Sequence, residues 1–261
     1  DKGVMVHGRF LDRGMLRYEI GGFDHDGVNA RTKDLERVFG ERTLAGRITM
    51  QPLRSTQSVL SDLAFAVAFT TSDVPEGFAA LRARTSMGEP FYLPDVSVRG
   101  ERRRIGFDAR WRPGPFSIKS EYMKLTQERL GQSSDETDLS KFFGEGWYVS
   151  GTWAITGENK AEGLDSPRRS LFRGGIGAVE LALRAEGISF GSEATDDVPS
   201  SAPRADVILG NTNRLVTYGV NWYLNRWLKI QVNFVRERLS DPTQGPLLEQ
   251  ASSWSRFVRS P

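Results

Sequence analysis

Seven basic residues stand at alternate positions of stretches whose other positions are largely apolar: Arg9, Arg17, Arg47, Arg110, Lys119, Arg184 and Lys229. If that side of each stretch faces enclosed water, a row of guanidinium and ammonium groups lowers the entry barrier for an anion, and several weak sites let it leave again. Acidic residues share the same side, at Glu19, Asp108, Glu121, Glu180, Glu186 and Glu237. The wall is therefore mixed, and most of these charges are expected to pair across strands, leaving a minority for permeant ions. Three consecutive arginines, Arg102, Arg103 and Arg104, stand where a long polar segment enters another such stretch. As a pore mouth they would attract small anions. The competing readings are a solvated loop edge or a contact with lipid phosphate. No aromatic stacking platform accompanies them, so nucleic acid is not expected as a partner.

Signals for enzyme chemistry are sparse. His7 and His25 have no partners at the spacing of a catalytic triad or a metal site. Asp24-His25-Asp26-Gly27 begins like a calcium loop but lacks the later ligands and the closing glutamate. GGIGA at 174–178 lacks the strand-to-helix setting of a nucleotide-binding turn. With no cysteine there is no disulfide scaffold and no thiolate metal site. No catalytic residue, metal or cofactor is expected.

Strands must position these charges. In VTYGVNWYLNRWLKIQVNFVRERL, residues 216–239, the even positions Val216, Tyr218, Val220, Trp222, Ile230, Val232 and Phe234 are apolar, while Thr217, Asn221, Lys229, Gln231 and Asn233 fall between them. A period of two marks strands with one greasy face and one wet face. Lys plus Arg total 35 against 33 Asp plus Glu, a net +2 that is too balanced for a nucleic-acid coat. Hydrophobic residues make up 38% of the 261, and no run approaches the roughly 20 apolar residues of a spanning helix. A helical membrane protein is excluded. A barrel is not, because its strands need apolar residues only at alternate positions.

Eleven strands are predicted, near 3–10, 15–23, 43–51, 63–71, 103–111, 116–125, 147–156, 178–190, 215–224, 228–238 and 253–260. Many match the roughly 9 to 11 residues with which a tilted strand crosses a bilayer. Their connections alternate between short turns (LDRG, RPGP, NRW) and long polar segments, as in a barrel with short turns on one rim and long loops on the other. The link from Gly157 to Gly177 breaks the alternation. Turn length fixes which residues share a face. Around RPGP the outward row is expected to be odd before the turn and even after it, with Asp108 opposite Lys119 on the inner face. Around NRW the expected outer pairs are Trp222 with Ile230, Val220 with Val232 and Tyr218 with Phe234.

A soluble sandwich or barrel would place the same apolar rows in a core. Two features favour lipid instead. Trp111, Trp147, Tyr148, Trp222, Tyr223 and Trp227 gather near turns and strand ends, as in an interfacial girdle. Small residues, including Ala64, Ala66, Ala68, Ser150 and Thr152, fill parts of the opposite face and leave room for water. The fold expected is an all-β, antiparallel up-and-down transmembrane barrel forming one domain over residues 1–261. The start at Asp1, with no leader, implies either a processed chain or an internal piece of a longer one.

RRRIGFDARWRPGPFSIKSEYMKL, GWYVSGTWAITGENK, GAVELALRAEGISFG and YGVNWYLNRWLKIQVNFVRERLSDP resemble the C-terminal half of the phosphate-selective porins of Gram-negative bacteria, over much of Gly3 to Pro242. The resemblance implies a sixteen-stranded outer-membrane barrel, usually a homotrimer in the bilayer, whose lumen arginines and lysines pass phosphate or related anions. Eleven strands then imply that about five are missing on the N-terminal side, and SRFVRSP lacks the terminal aromatic residue of such barrels. Two other classes stand beside this one: a plugged structural or adhesive barrel, suggested by the balanced wall charge, and a soluble carbohydrate-binding β-protein, suggested by the aromatics.

Overall fold

The structure is a computed structural model, and it describes residues 2–11, 14–26, 42–79, 81–88, 90–92, 95–160, 167–193, 200 and 202–240. Ten strands form one sheet: β1 (Gly3–Phe10), β2 (Leu16–Phe23), β3 (Thr43–Met50), β4 (Ala64–Phe78), β7 (Ser97–Trp111), β8 (Phe116–Arg129), β9 (Leu139–Ala154), β10 (Ala178–Ser192), β11 (Asn211–Tyr223) and β12 (Lys229–Ser240). Within the β4–β7 connection, β5 (Ala83–Arg84) and β6 (Pro90–Tyr92) pair with each other. Each strand of the large sheet pairs antiparallel with the next, so the topology is up-and-down, with β1 and β12 as the outermost strands among the described residues. Ten of the eleven expected strands are present; the last, at 253–260, lies outside the described residues.

The apolar rows have no facing sheet among the described residues. Leu183 (51%), Val220 (43%), Val232 (64%) and Phe234 (58%) remain exposed on one face, together with Phe65, Val67, Ile105, Phe107, Ile118 and Val149. A soluble sandwich would have buried them against a second layer. A cluster of buried apolar residues lies instead at the long-connection end of the opposite face, formed by Val74, Ala79, Ala83, Val96, Val98, Phe142, Phe190 and Ile208.

Register bears out the NRW hairpin: Trp222 faces Ile230, Val220 faces Val232 and Tyr218 faces Phe234. At RPGP the parity holds but the register is two residues further along than expected. Asp108 faces Glu121, and Lys119 faces Arg110. The expected Asp108–Lys119 pair therefore does not form. The strands also run several residues beyond their predicted ends on the long-connection side, as in β4 from Ser72 to Phe78 and β9 from Leu139 to Gly146. There the ladder continues although the side chains no longer alternate, since backbone pairing does not require an apolar face.

The aromatic girdle is smaller than expected. Trp111 and Trp222 lie at the short-turn rim, where their indole N–H groups donate to the backbone carbonyls of Val59 (3.0 Å) and Ile176 (2.7 Å). Trp147, paired with Tyr122, marks the opposite edge of the apolar band, next to the charged pair Lys124 and Glu145. Tyr148 and Tyr223 face the polar side instead. On the apolar face, Trp147 lies over Gly187: a Cβ built there would sit 2.8 Å from the indole nitrogen. A ring laid over a cross-strand glycine supplies the packing that the glycine lacks.

Candidate functional site

The polar face carries its charge in rows set by register. One row runs Ala64, Arg110, Lys119, Ser150, Arg184 and Thr217 across β4 and β7 to β11. The next, one residue pair further on the same face, runs Ala66, Asp108, Glu121, Tyr148, Glu186 and Leu215. A basic row thus lies beside an acidic one. Arg184 pairs with Glu186 and stacks 3.9 Å over the Tyr148 ring. Arg110 and Lys119 are both exposed, face each other directly, and have no carboxylate at ion-pair distance among the described residues.

The other expected wall cations divide. Arg47 on β3 forms an ion pair with Asp108 on β7, spanning β4, whose register partners for these two residues are Ala68 and Ala66. The small residues expected to leave room for water here make room for a side-chain bridge. Arg17 pairs with Glu19 on its own strand, and the exposed Arg9 stands opposite Arg17. Lys229 lies 4.9 Å over the ring of Tyr223, its partner across the hairpin.

The three arginines do not form a loop edge, because β7 begins at Ser97 and they lie within it on alternating faces. Arg102 and Arg104 both bind Asp26, and Arg102 also donates through Nε to Gln127 Oε1 at 2.7 Å. Burial pushes the Asp26 carboxyl up, but hydrogen bonds and charge from Arg104 and Arg102 outweigh it and hold the group below the usual carboxylate range. Arg103 points the other way and pairs with Glu101. The segment that begins like a calcium loop thus supplies an arginine anchor.

The β4–β7 connection folds over the polar face. Arg82 ties it together, donating to Ala79 O (2.9 Å), Leu81 O (2.7 Å) and Asp95 Oδ1 (3.0 Å). Ser86 reaches β12, where its backbone N–H and hydroxyl donate to the Glu237 carboxylate. Leu81 packs with Ile188 and Leu239 against the buried cluster. A second connection, around Pro203 to Ile208, is held by Arg129, which is 1% exposed and donates to the carbonyls of Ser97 (3.0 Å), Pro203 (3.1 Å) and Asp206 (3.4 Å).

The over-long link between β9 and β10 has its own task. Its Lys160 pairs with Glu180 on the polar face, both side chains being under 10% exposed (7% and 8%), and Asn221 Nδ2 donates to the same carboxylate at 2.9 Å. Backbone bonds from Lys160 N to Gly114 O and from Leu171 N to Leu224 O hold the link against the turns on either side. A short turn could not carry a lysine back over the sheet. Sequence reading missed Asp26, Arg82, Arg129 and Lys160 because each lies outside the alternating segments or near their ends.

A model of the phosphate-selective porin O and P family matches residues 74–250. The chain belongs to that family. The matched span takes in β7 to β12, every charged residue of the basic and acidic rows and the whole inward-folded connection. The chain is also similar to Porin O of Pseudomonas aeruginosa, with 26% identity over 137 residues, which is 51% of this chain and 29% of that relative. The match thus spans less than a third of the relative's length. An exposed apolar face on a single up-and-down sheet fits that family, since in an outer-membrane porin such a face meets acyl chains.

Proposed function

We propose that this chain forms part of the wall of a passive, water-filled channel that passes small anions such as phosphate across the bacterial outer membrane, in a barrel completed by further strands and assembled as a homotrimer. The observation that carries the reading is Arg110 facing Lys119. Like charges directly opposite each other destabilise a strand pair, and these two lie in a row with Arg184 on the polar face of a porin-family sheet. Arg9, Arg110, Lys119 and Lys229 are the wall cations assigned to contact with permeant ions. Arg17, Arg47 and Arg184 are occupied by carboxylates, and Arg102 and Arg104 by Asp26.

Full-length protein in a planar bilayer under a potassium chloride gradient tests this. Anion-selective reversal potentials that fall or invert in Arg110→Glu/Lys119→Glu support it, and a cation-selective wild type contradicts it. The packing of the β4–β7 connection on the polar face favours a second reading, a plugged barrel with binding loops. Inserted protein that conducts nothing would favour that second reading.

A further inference from the structure

At the long-connection end of β11 and β12, the apolar face changes character abruptly. Its cross-strand pairs run Trp222 with Ile230, Val220 with Val232, Tyr218 with Phe234, then Val216 with Arg236 and Arg214 with Arg238. All three arginines are exposed. None has an ion-pair or hydrogen-bond partner among the described residues. Arg214 and Arg238 directly oppose each other, an arrangement that is unfavourable without a counter-charge. Their neighbour on β10 is Gly187, which offers no side chain. Glu145, two strands away on this face, already accepts hydrogen bonds from Tyr122 (3.0 Å) and Ser189 (3.1 Å).

Arg236 follows Phe234 by two residues, about 7 Å along a strand. That places the cluster just past the last aromatic pair of the apolar band, at the level where acyl chains give way to headgroups. Guanidinium groups bind phosphate oxygens through paired N–H donors. We infer that Arg214, Arg236 and Arg238 form a lipid-side site for the phosphate-bearing headgroup of an anionic lipid in the leaflet at the long-connection rim. This inference rests on the apolar face lying in lipid and is independent of which ion the channel passes.

The test uses full-length protein in dodecyl maltoside, titrated with dimyristoyl phosphatidic acid, dimyristoyl phosphatidylcholine or inorganic phosphate, with bound lipid and oligomer mass read by native mass spectrometry. Phosphatidic acid should bind in preference to phosphatidylcholine, and its affinity should fall with added salt. In Arg214→Gln/Arg236→Gln/Arg238→Gln the affinity should drop on the order of 100-fold, given the usual contribution of each basic residue at an anionic surface, while reversal potentials in phosphatidylcholine bilayers stay unchanged. The salt dependence of the wild type keeps the test decisive if that variant fails to fold. Equal retention of both lipids, undiminished binding by the variant, or displacement of the lipid by equimolar inorganic phosphate would overturn the inference. A changed oligomer mass in the variant would overturn it too, by making the cluster a contact between subunits.

Discussion

Arg47 and Asp108 are joined across an intervening strand: the ion pair from β3 to β7 passes over β4 at Ala66 and Ala68. The bridge braces three strands and removes one cation and one anion from the polar face. Both side chains are partly solvated, so the coupling is that of a surface pair, about 0.2 to 1 kcal/mol. A double-mutant cycle with Arg47→Gln and Asp108→Asn, read by thermal unfolding in detergent, should return a value in that range. Asp108→Asn alone should also make the channel more anion-selective, because it frees Arg47.

Lys160 and Glu180 behave differently because both are buried. Lys160→Ala leaves a carboxylate with little water, held by the Asn221 amide among the described residues. Removing one member of such a pair costs about 3 to 5 kcal/mol. Replacing both, as in Lys160→Met/Glu180→Gln, should recover much of that loss. Urea unfolding of the refolded protein in micelles measures the difference.

At the short-turn rim Arg112 grips Asp62 with two hydrogen bonds, Nε to Oδ2 at 2.7 Å and Nη2 to Oδ1 at 3.0 Å. The Arg112 hydrogen bond, set against a smaller burial effect, holds the Asp62 carboxyl below its usual range. A depressed folded-state value means that the stabilisation is fully present above the unfolded carboxylate value and is lost as pH falls through the depressed one. Asp62→Asn should therefore lower the melting temperature at neutral pH and flatten its decline in acid. Parallel pH curves for the two proteins would refute this.

Glu237 receives Ser86 from the inward-folded connection and the Asn213 amide from β11. Glu237→Ala should loosen that connection. The expected outcome is faster cleavage between residues 79 and 96 by added protease and larger single-channel current fluctuations, with the strands intact by circular dichroism.

Much of the sheet was legible because burial on one side writes a period of two into β11 and β12, and because turn length fixes parity. Exact register was legible only at the NRW hairpin. At RPGP the ladder ends short of the turn, with Trp111 facing Ile118, and no side-chain pattern marks a slip of two residues that keeps every side chain on its own face. The wall candidates could be assigned to a face but not to partners. Arg47 finds Asp108 two strands away, and Arg102 and Arg104 find an aspartate in a loop. Such contacts depend on strand order and on which small residues lie between, neither of which is local in sequence. The inward fold of the β4–β7 connection was hidden for the same reason: its anchors, Phe142, Phe190 and Glu237, are distributed over three distant strands.

These 261 residues hold no cysteine, so in a full-length background cleared of any other cysteine single cysteines can report each position of β12 separately. With the full-length protein in a bilayer, a water-soluble maleimide should label cysteines at positions 229, 231 and 233 and spare those at 230, 232 and 234, while a bilayer-partitioning maleimide should do the reverse. That alternation is what outward apolar rows and an inward wet wall require. Uniform labelling, or the opposite parity, would contradict it.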